Sequence, residues 1–248
     1  MKIKKEIITE NVKIALDEDI QGGDVTAALI EPYTLAEATL TSRDNAILCG
    51  TEWFNEVFNQ LDDSIEIEWL AVDGDKIKPN QSICNLKGSA HPILTGERTA
   101  INFLQTLSSV STSVSEFVTR IKHTKTKILD TRKTIPGLRH AQKYAVTVGG
   151  GLNHRFGLYD EILIKENHIT ASGSLEKTIT KAKEKKIPIT IEVENLVQLE
   201  KALKTDIGRI ILDNFTAPNI KKAVVMANGK TKIEASGNIT VHNIHTIA

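Results

Sequence analysis

Residues 188–214 read PITIEVENLVQLEKALKTDIGRIILDN, and this stretch decides the fold. A short apolar run over 188–193 has strand character and stops at Glu194-Asn195. Asn195 followed three residues later by Gln198 is a helix-start signal. A second apolar run over 209–212 then ends on Asp213-Asn214. Strand, helix and strand in this order imply parallel strands covered by helices. The same alternation extends outward, with short apolar strands at 127–129, 161–164 and 232–235. It fits either a barrel or an open doubly wound sheet, and both carry their sites at the C-terminal strand ends. Polar residues stand at those ends: Asp130-Thr131-Arg132-Lys133, Lys165, Glu192, Asp213-Asn214 and Ser236-Gly237. Five strands are too few to close a barrel, and residues 241–248 begin a helix where a further strand is expected. The chain is therefore expected to be C-terminally incomplete, or to be completed by a partner.

The N-terminal part has a different texture. Ile7, Ile8, Val12, Ala15 and Leu16 recur at helical spacing, and Gly22-Gly23-Asp24 closes that helix. Strands are predicted at 37–49, 65–72 and 82–87, with a helix at 51–61 and a turn at Asp73-Gly74-Asp75. A bridging helix follows, on which Leu104, Leu107, Val110, Val114, Phe117, Val118 and Ile121 fall at steps of three and four. Its Ser/Thr-rich middle, from Ser108 to Ser115, lowers helix propensity but permits close packing. The predicted division is a first domain over 1–111, including that helix, and an α/β domain over 112–248.

The composition, 40% hydrophobic and 25% charged, is that of a globular chain. Lysine and arginine total 31 and so do aspartate and glutamate, for a formal net charge of zero. The charge is unevenly spread. Residues 119–155 hold nine cations (Arg120, Lys122, Lys125, Lys127, Arg132, Lys133, Arg139, Lys143 and Arg155) against Asp130 alone, a local +8. Overall neutrality and 4% aromatic content speak against nucleic acid and anionic membranes as partners, whereas a concentrated cationic segment suits a small anion. Lys122, Lys125, Lys127 and Lys143 are expected on solvated surface. No apolar run approaches a membrane span, and no signal-peptide core follows the N-terminus. Two cysteines without metal-ligand spacing, Cys49 and Cys84, suit a reducing compartment, so a cytoplasmic location is expected.

Several residues carry chemistry. Arg132 offers a planar fork for carboxylate or phosphate and Lys133 a compact charge, both ahead of the Pro136-Gly137 turn. Gly149-Gly150-Gly151 precedes Asn153-His154-Arg155 and lets the backbone approach a ligand or adopt positive φ. Lys165 at a strand end is an anion clamp or, if desolvated, a Schiff-base nucleophile. Glu192 and Asp213 terminate successive strands and suit ribose hydroxyls, a magnesium complex or a base. Ser236-Gly237-Asn238 is a small polar turn able to offer hydroxyl and N–H groups to phosphate. The set suits a phosphorylated sugar with pyrophosphate, plus a carboxylated acceptor.

The chain resembles the quinolinate phosphoribosyltransferase family. The resemblance is carried in order by Glu18-Asp19-Ile20-Gln21-Gly22-Gly23-Asp24-Val25-Thr26 and Gly96-Glu97-Arg98-Thr99-Ala100-Ile101-Asn102-Phe103-Leu104. Asp130-Thr131-Arg132-Lys133-Thr134-Ile135-Pro136-Gly137-Leu138-Arg139 and Gly149-Gly150-Gly151-Leu152-Asn153-His154-Arg155 continue it. Leu163-Ile164-Lys165-Glu166-Asn167-His168-Ile169, Ile191-Glu192-Val193-Glu194-Asn195 and Leu212-Asp213-Asn214-Phe215 complete it. It implies an α/β protein with an N-terminal α+β open sandwich followed by an incomplete TIM-like α/β barrel, in a homodimer or higher oligomer with shared active sites. The implied reaction joins quinolinate to phosphoribosyl pyrophosphate with magnesium, giving nicotinate mononucleotide, pyrophosphate and carbon dioxide. By motif, Arg132, His154, Arg155 and Lys165 meet the pyridine dicarboxylate, with Arg98 supplied by a second copy, and Thr131 is a further substrate-binding residue. Lys133 and Lys165 would face phosphoribosyl pyrophosphate. Glu192 and Asp213 would take the ribose hydroxyls and the magnesium complex, and Ser236, Gly237 and Asn238 the 5′-phosphate. Lys133, Lys165, Glu192 and Asp213 are the expected catalytic set, with no direct protein–metal ligation. At Thr190 relatives often carry an acid, and little effect of the difference is expected. A transferase with another acceptor and a Lys165 Schiff-base aldolase are the alternative readings, and a nucleic-acid binder using the +8 segment a third.

Overall fold

The computed structural model describes residues 2–248. It forms two compact units: the chain up to Thr119 together with Lys127–His154, and Arg120–Thr126 together with Arg155–Ala248.

In the first unit, α1 (Lys5–Ile20) buries Ile8, Val12 and Leu16, spaced by four residues along one face. Gln21 at φ 42° and Gly23 at φ 126° then end the helix where the glycine pair predicts. The strand expected over 37–49 is two strands, β1 (Leu35–Thr41) and β2 (Ala46–Ile47). Residues 42–45 separate them in a bend, where the Ser42 hydroxyl donates to the Asp44 carbonyl at 2.7 Å. Helix α2 (Thr51–Leu61) covers the predicted residues. The Asp73 carboxylate accepts from the N–H groups of Gly50 at 3.0 Å and Thr51 at 3.1 Å, satisfying donors at the positive end of that helix. Strands β3 (Glu66–Trp69), β4 (Lys76–Ile77) and β5 (Ser82–Ser89) follow. An antiparallel sheet has the order β1-β5-β3, and β2 pairs antiparallel with β4. Trp53, Phe54, Val57 and Phe58 of α2 join Leu48, Ile83, Leu104 and Leu107 in the core of this unit.

Helix α3 (Ala90–Ile121) begins well before the periodic run at Leu104. Pro92 lies in its first turn, where a missing N–H is tolerated. The Ser/Thr stretch has a positive role beyond close packing. Ser111 donates to the Ile47 carbonyl at 2.7 Å, Thr112 accepts from the Ile47 N–H at 2.9 Å, and Ser108 accepts from the Cys49 N–H at 3.0 Å. Helix hydroxyls thus satisfy backbone groups that the two-residue strand β2 and its exit leave unpaired. Helix α4 (Arg139–Val148) stops at Gly149, which packs so closely on Ser111 and Val114 that no Cβ fits. Gly150 has φ 91°. These two glycines serve helix termination and packing. Residues 127–129, expected as a strand, make only a single parallel bridge, Leu129 to Leu152.

The second unit alternates β6 (Ile162–Ile164), α5 (Glu166–Ser172), α6 (Leu175–Lys183), β7 (Ile189–Val193), α7 (Leu196–Leu203), β8 (Arg209–Asp213), α8 (Ala217–Ala227), β9 (Lys232–Ser236) and α9 (Ile244–Ile247). The sheet order is β6-β7-β8-β9, parallel throughout. The α/β expectation therefore holds, with a small antiparallel sheet in the N-terminal part and a parallel-sheet α/β arrangement after it. Asn195 caps α7 by accepting from the Gln198 N–H at 2.9 Å. The Gln198 side chain reaches back to the Glu194 N–H at 2.7 Å, one residue earlier than an ideal capping box.

Period two then divides the sheet into two faces. Ile164, Ile191, Val193, Ile210 and Leu212 are buried with Ile179, Leu199, Ala202 and Ala223 of the helices. Each large aliphatic side chain fully buried there contributes roughly 1.5–3 kcal/mol. The alternating positions include Thr190, Glu192, Arg209, Asp213, Glu234 and Ser236, so the opposite face is largely polar, with Leu163 and the buried Ile211 as apolar exceptions. Arg209 pairs with Glu234 at 3.1 Å and approaches Glu161 at 3.7 Å, and Thr190 donates its hydroxyl to Glu161. An acid at position 190 would set a second carboxylate against Glu161, so threonine there is a fitted choice. Among the described residues no helix is long and apolar enough to cross a membrane.

Candidate active site

The C-terminal edge of the parallel sheet gathers the candidates of the second unit. Pairing places Ile164 beside Ile191, Val193 beside Leu212, and Asp213 beside Ser236. Strand ends therefore align Lys165, Glu192, Asp213 and Ser236 along one rim. The Lys165 ammonium donates to both Glu192 carboxylate oxygens, at 2.8 and 3.0 Å. The lysine side chain is half exposed and that of Glu192 is 18% exposed. The Lys165 N–H donates to His168 Nδ1 at 3.0 Å, a local cap that orients the residue. A nucleophilic lysine needs desolvation or a neighbouring cation. A half-exposed lysine chelated by a carboxylate suits an anion clamp instead.

At the β8 and β9 ends one residue outside the predicted set joins two predicted groups. Asn214 has φ 55°, donates its side-chain amide to Asp213 Oδ2 at 3.0 Å, and accepts from Asn238 Nδ2 at 3.2 Å. Its own N–H donates to the Ser236 carbonyl at 2.8 Å. Gly237 has φ 94°, and a Cβ there would overlap the Asn214 amide. Asn238, at φ 54°, is held further by Asn243, which donates to its carbonyl at 2.8 Å. Gly237 and Asn238, both in left-handed conformations, make a tight turn after β9, and the equally left-handed Asn214 after β8 packs against it. The signal for Asn214 lay in the text as Asp-Asn at a strand end, since Asn tolerates that conformation. Arg155, in this unit, donates to the Glu161 carbonyl at 3.4 Å.

The first unit holds the others. Arg98 lies exposed on α3. After Asp130 the chain turns: the Lys133 N–H donates to the Thr131 hydroxyl at 3.1 Å, and the Thr134 N–H to the Arg132 carbonyl at 3.0 Å. The Gln142 side chain accepts from the Ile135 N–H at 2.8 Å, and Gly137 takes φ 81°. Lys133 is exposed, whereas Arg132 is half-buried and its buried Nε has no hydrogen-bond partner among the described residues. A buried donor left in reserve suits a ligand oxygen. Lys143 corrects the surface expectation. Its side chain is fully buried, paired with the Asp130 carboxylate and bonded to the His154 carbonyl at 3.0 Å.

A rim bearing a lysine, two carboxylates and a tight small-residue turn, in a chain that also holds a buried arginine donor, defines an α/β protein equipped for anionic, hydroxylated ligands. The family model described as "Quinolinate phosphoribosyl transferase, N-terminal domain" matches residues 24–108, and that of the C-terminal domain matches 110–248. A nicotinate-nucleotide pyrophosphorylase structure from Francisella tularensis is 47% identical with a TM-score of 0.96, covering 99% of this chain and 88% of that one. One from Ehrlichia chaffeensis is 36% identical with a TM-score of 0.94, covering 100% and 90%. A probable nicotinate-nucleotide pyrophosphorylase (carboxylating) of Bacillus subtilis is 37% identical over 92% of this chain and 80% of its own length. The chain belongs to the quinolinate phosphoribosyltransferase family.

Proposed function

We propose that this chain transfers the phosphoribosyl group of phosphoribosyl pyrophosphate to the ring nitrogen of quinolinate, with decarboxylation to nicotinate mononucleotide. The observation that carries the reading is the strand-end rim of Lys165, Glu192, Asp213 and the 236–238 turn, in a chain of this family. Lys165 and Lys133 bear on the pyrophosphate, Glu192 and Asp213 on the ribose hydroxyls, and Ser236, Gly237 and Asn238 on the 5′-phosphate. Arg132, His154 and Arg155 hold the dicarboxylate with Lys165, Thr131 is a further substrate-binding residue, and Arg98 comes from a second copy in a homodimer. The domains are taken as 1–111 and 112–248.

The ring nitrogen bonds to C1′ as the C1′–pyrophosphate bond breaks, and positive charge builds on the ribose. Fixed lysines aimed at the leaving oxygens lower this barrier because they need no reorganisation. The nitrogen is then cationic, so the C2–carboxylate bond can break with its electron pair left at C2 beside that charge. Carbon dioxide departs and a solvent proton replaces it. Magnesium would be held here through the substrate's own pyrophosphate oxygens and its retained waters, near Glu192 and Asp213 and without direct ligation by the protein. When bound it neutralises charge on the leaving pyrophosphate.

The test is direct detection of nicotinate mononucleotide and released carbon dioxide from quinolinate and phosphoribosyl pyrophosphate, with and without magnesium. Product from nicotinate but not from quinolinate would assign the chain another acceptor.

A further inference from the structure

We propose that the buried Asp130–Lys143 pair is a positioning device that fixes His154 and the start of the Arg132 turn for anion binding. The proposal rests on the reading of Arg132 and His154 as substrate-facing. The Lys143 side chain is 0% exposed and that of Asp130 is 6% exposed. Asp130 Oδ1 accepts from the Lys143 ammonium and from the His154 N–H at 2.9 Å. Its other oxygen accepts from the Asn153 side-chain amide at 2.6 Å, and that amide also donates to the Lys143 carbonyl at 2.9 Å. Lys143 then closes the circuit on the His154 carbonyl at 3.0 Å.

Residue 154 is therefore held on both of its backbone groups, the N–H by Asp130 and the carbonyl by Lys143. Asp130 is also tied through its own N–H to the Leu152 carbonyl at 3.1 Å, and it directly precedes Thr131-Arg132. One carboxylate thus anchors two segments lying 24 residues apart in sequence. A buried ion pair is no better for stability than apolar packing of the same volume, whereas it orients the groups that bond to it. The reserve donor on Arg132 sits two residues beyond this anchor. Neither Asp130 nor Lys143 needs to touch the substrate; they act through the backbone they hold.

The test uses the full chain with Lys143→Met, Asp130→Asn and Lys143→Arg. It measures thermal midpoint, direct quinolinate binding, the KM of each substrate, and amide hydrogen exchange over 130–135 and 152–156. The expectation for folded Lys143→Met and Asp130→Asn is quinolinate binding weakened tenfold or more and faster exchange at His154. The quinolinate KM should rise at least fivefold more than that of phosphoribosyl pyrophosphate, with partial recovery in Lys143→Arg. If Lys143→Met does not fold, the isosteric Asp130→Asn carries the comparison. Folded variants with quinolinate binding within twofold of the parent and unchanged exchange overturn the proposal. So does an equal rise in both KM values, which would mark general loosening. If the parent chain itself fails to bind quinolinate, the functional reading fails, and exchange at His154 alone then decides the positioning.

Discussion

Replacing Gly237 by alanine tests the strand-end turn most sharply. Its φ of 94° lies where an L side chain is strained, and the new Cβ would overlap the Asn214 amide. The backbone penalty is about 1–2 kcal/mol. Displacing Asn214 also breaks its contact with Asn238, about 0.5–1.5 kcal/mol for an ordinary hydrogen bond. Together these disfavour the turn in its present shape by about 1.5–3.5 kcal/mol, with the middle of that range at about 2–3 kcal/mol. If the 5′-phosphate is taken by that shape, the KM for phosphoribosyl pyrophosphate rises about 30- to 150-fold. Quinolinate binding stays near the parent value, and kcat at saturating sugar pyrophosphate changes little. Strain left in place would lower the melting temperature by roughly 4–12 °C, whereas an exposed turn that shifts escapes most of that loss. Initial-rate kinetics beside differential scanning calorimetry separate the two. A variant with both KM and melting temperature at parent values would refute the argument, because neither strain nor shape would then matter.

Other expectations follow from the same geometry. Arg132→Ala and Arg155→Ala each remove charge-assisted bonds worth roughly 1.5–3 kcal/mol, so quinolinate use should fall about ten- to a hundred-fold or more. Near-normal turnover by both variants would take those residues out of the site. Burial pushes the Cys49 thiol well above its ordinary value and that of Cys84 up to about 12, so neither forms thiolate at pH 8. Ellman's reagent should therefore label the chain only as fast as it opens, and rapid stoichiometric labelling of the native chain would contradict the burial. The Asp24 carboxyl is held below its ordinary 3.8 by the Ala27 N–H foremost, then by the Thr95 hydroxyl and the Thr26 N–H. A depressed folded value means that its stabilisation is complete above pH 3.8 and is lost as pH falls through the folded value. Acid unfolding curves of the parent and Asp24→Asn should differ at neutral pH and converge at low pH. A constant gap across that range would disprove the linkage.

The second unit was readable because its signals are local. Apolar runs of strand length, an Asn–Gln cap and turns rich in Asn and Gly identify each piece within a few residues of itself. Along β7 the alternation Ile189-Thr190-Ile191-Glu192-Val193 even separates the side chains bound for the helices from those on the other face, whereas the run Ile210-Ile211-Leu212 in β8 does not. Helix α2 was legible for the same reason, over the residues its pattern marks. The first half of α3 was not, because Thr95-Gly96-Glu97-Arg98 weakens helix periodicity and only packing of Gly96 against Leu61, Phe58 and Val57 explains its place there. The expectation of one strand over 37–49 passed over the break, although Ser42, Asp44 and Asn45 are turn-prone residues and the bend falls on them.

The +8 segment shows the boundary between the two kinds of information most plainly. Family motif, charge sign and the residue types offered to an anion were all written in the order of amino acids. Which of those cations reach solvent was not. Lys143 reads like Lys122 or Lys125 in sequence, yet it is sealed from water because Asp130, 13 residues away, and the His154 carbonyl meet its ammonium. Whether a charge is solvated or buried is set by partners brought from distant positions, and the free energy of desolvation is settled only when those partners arrive. Asn214 follows the same rule: its identity suggests a turn, but its place between Asp213 and Asn238 exists only once β8 and β9 lie side by side.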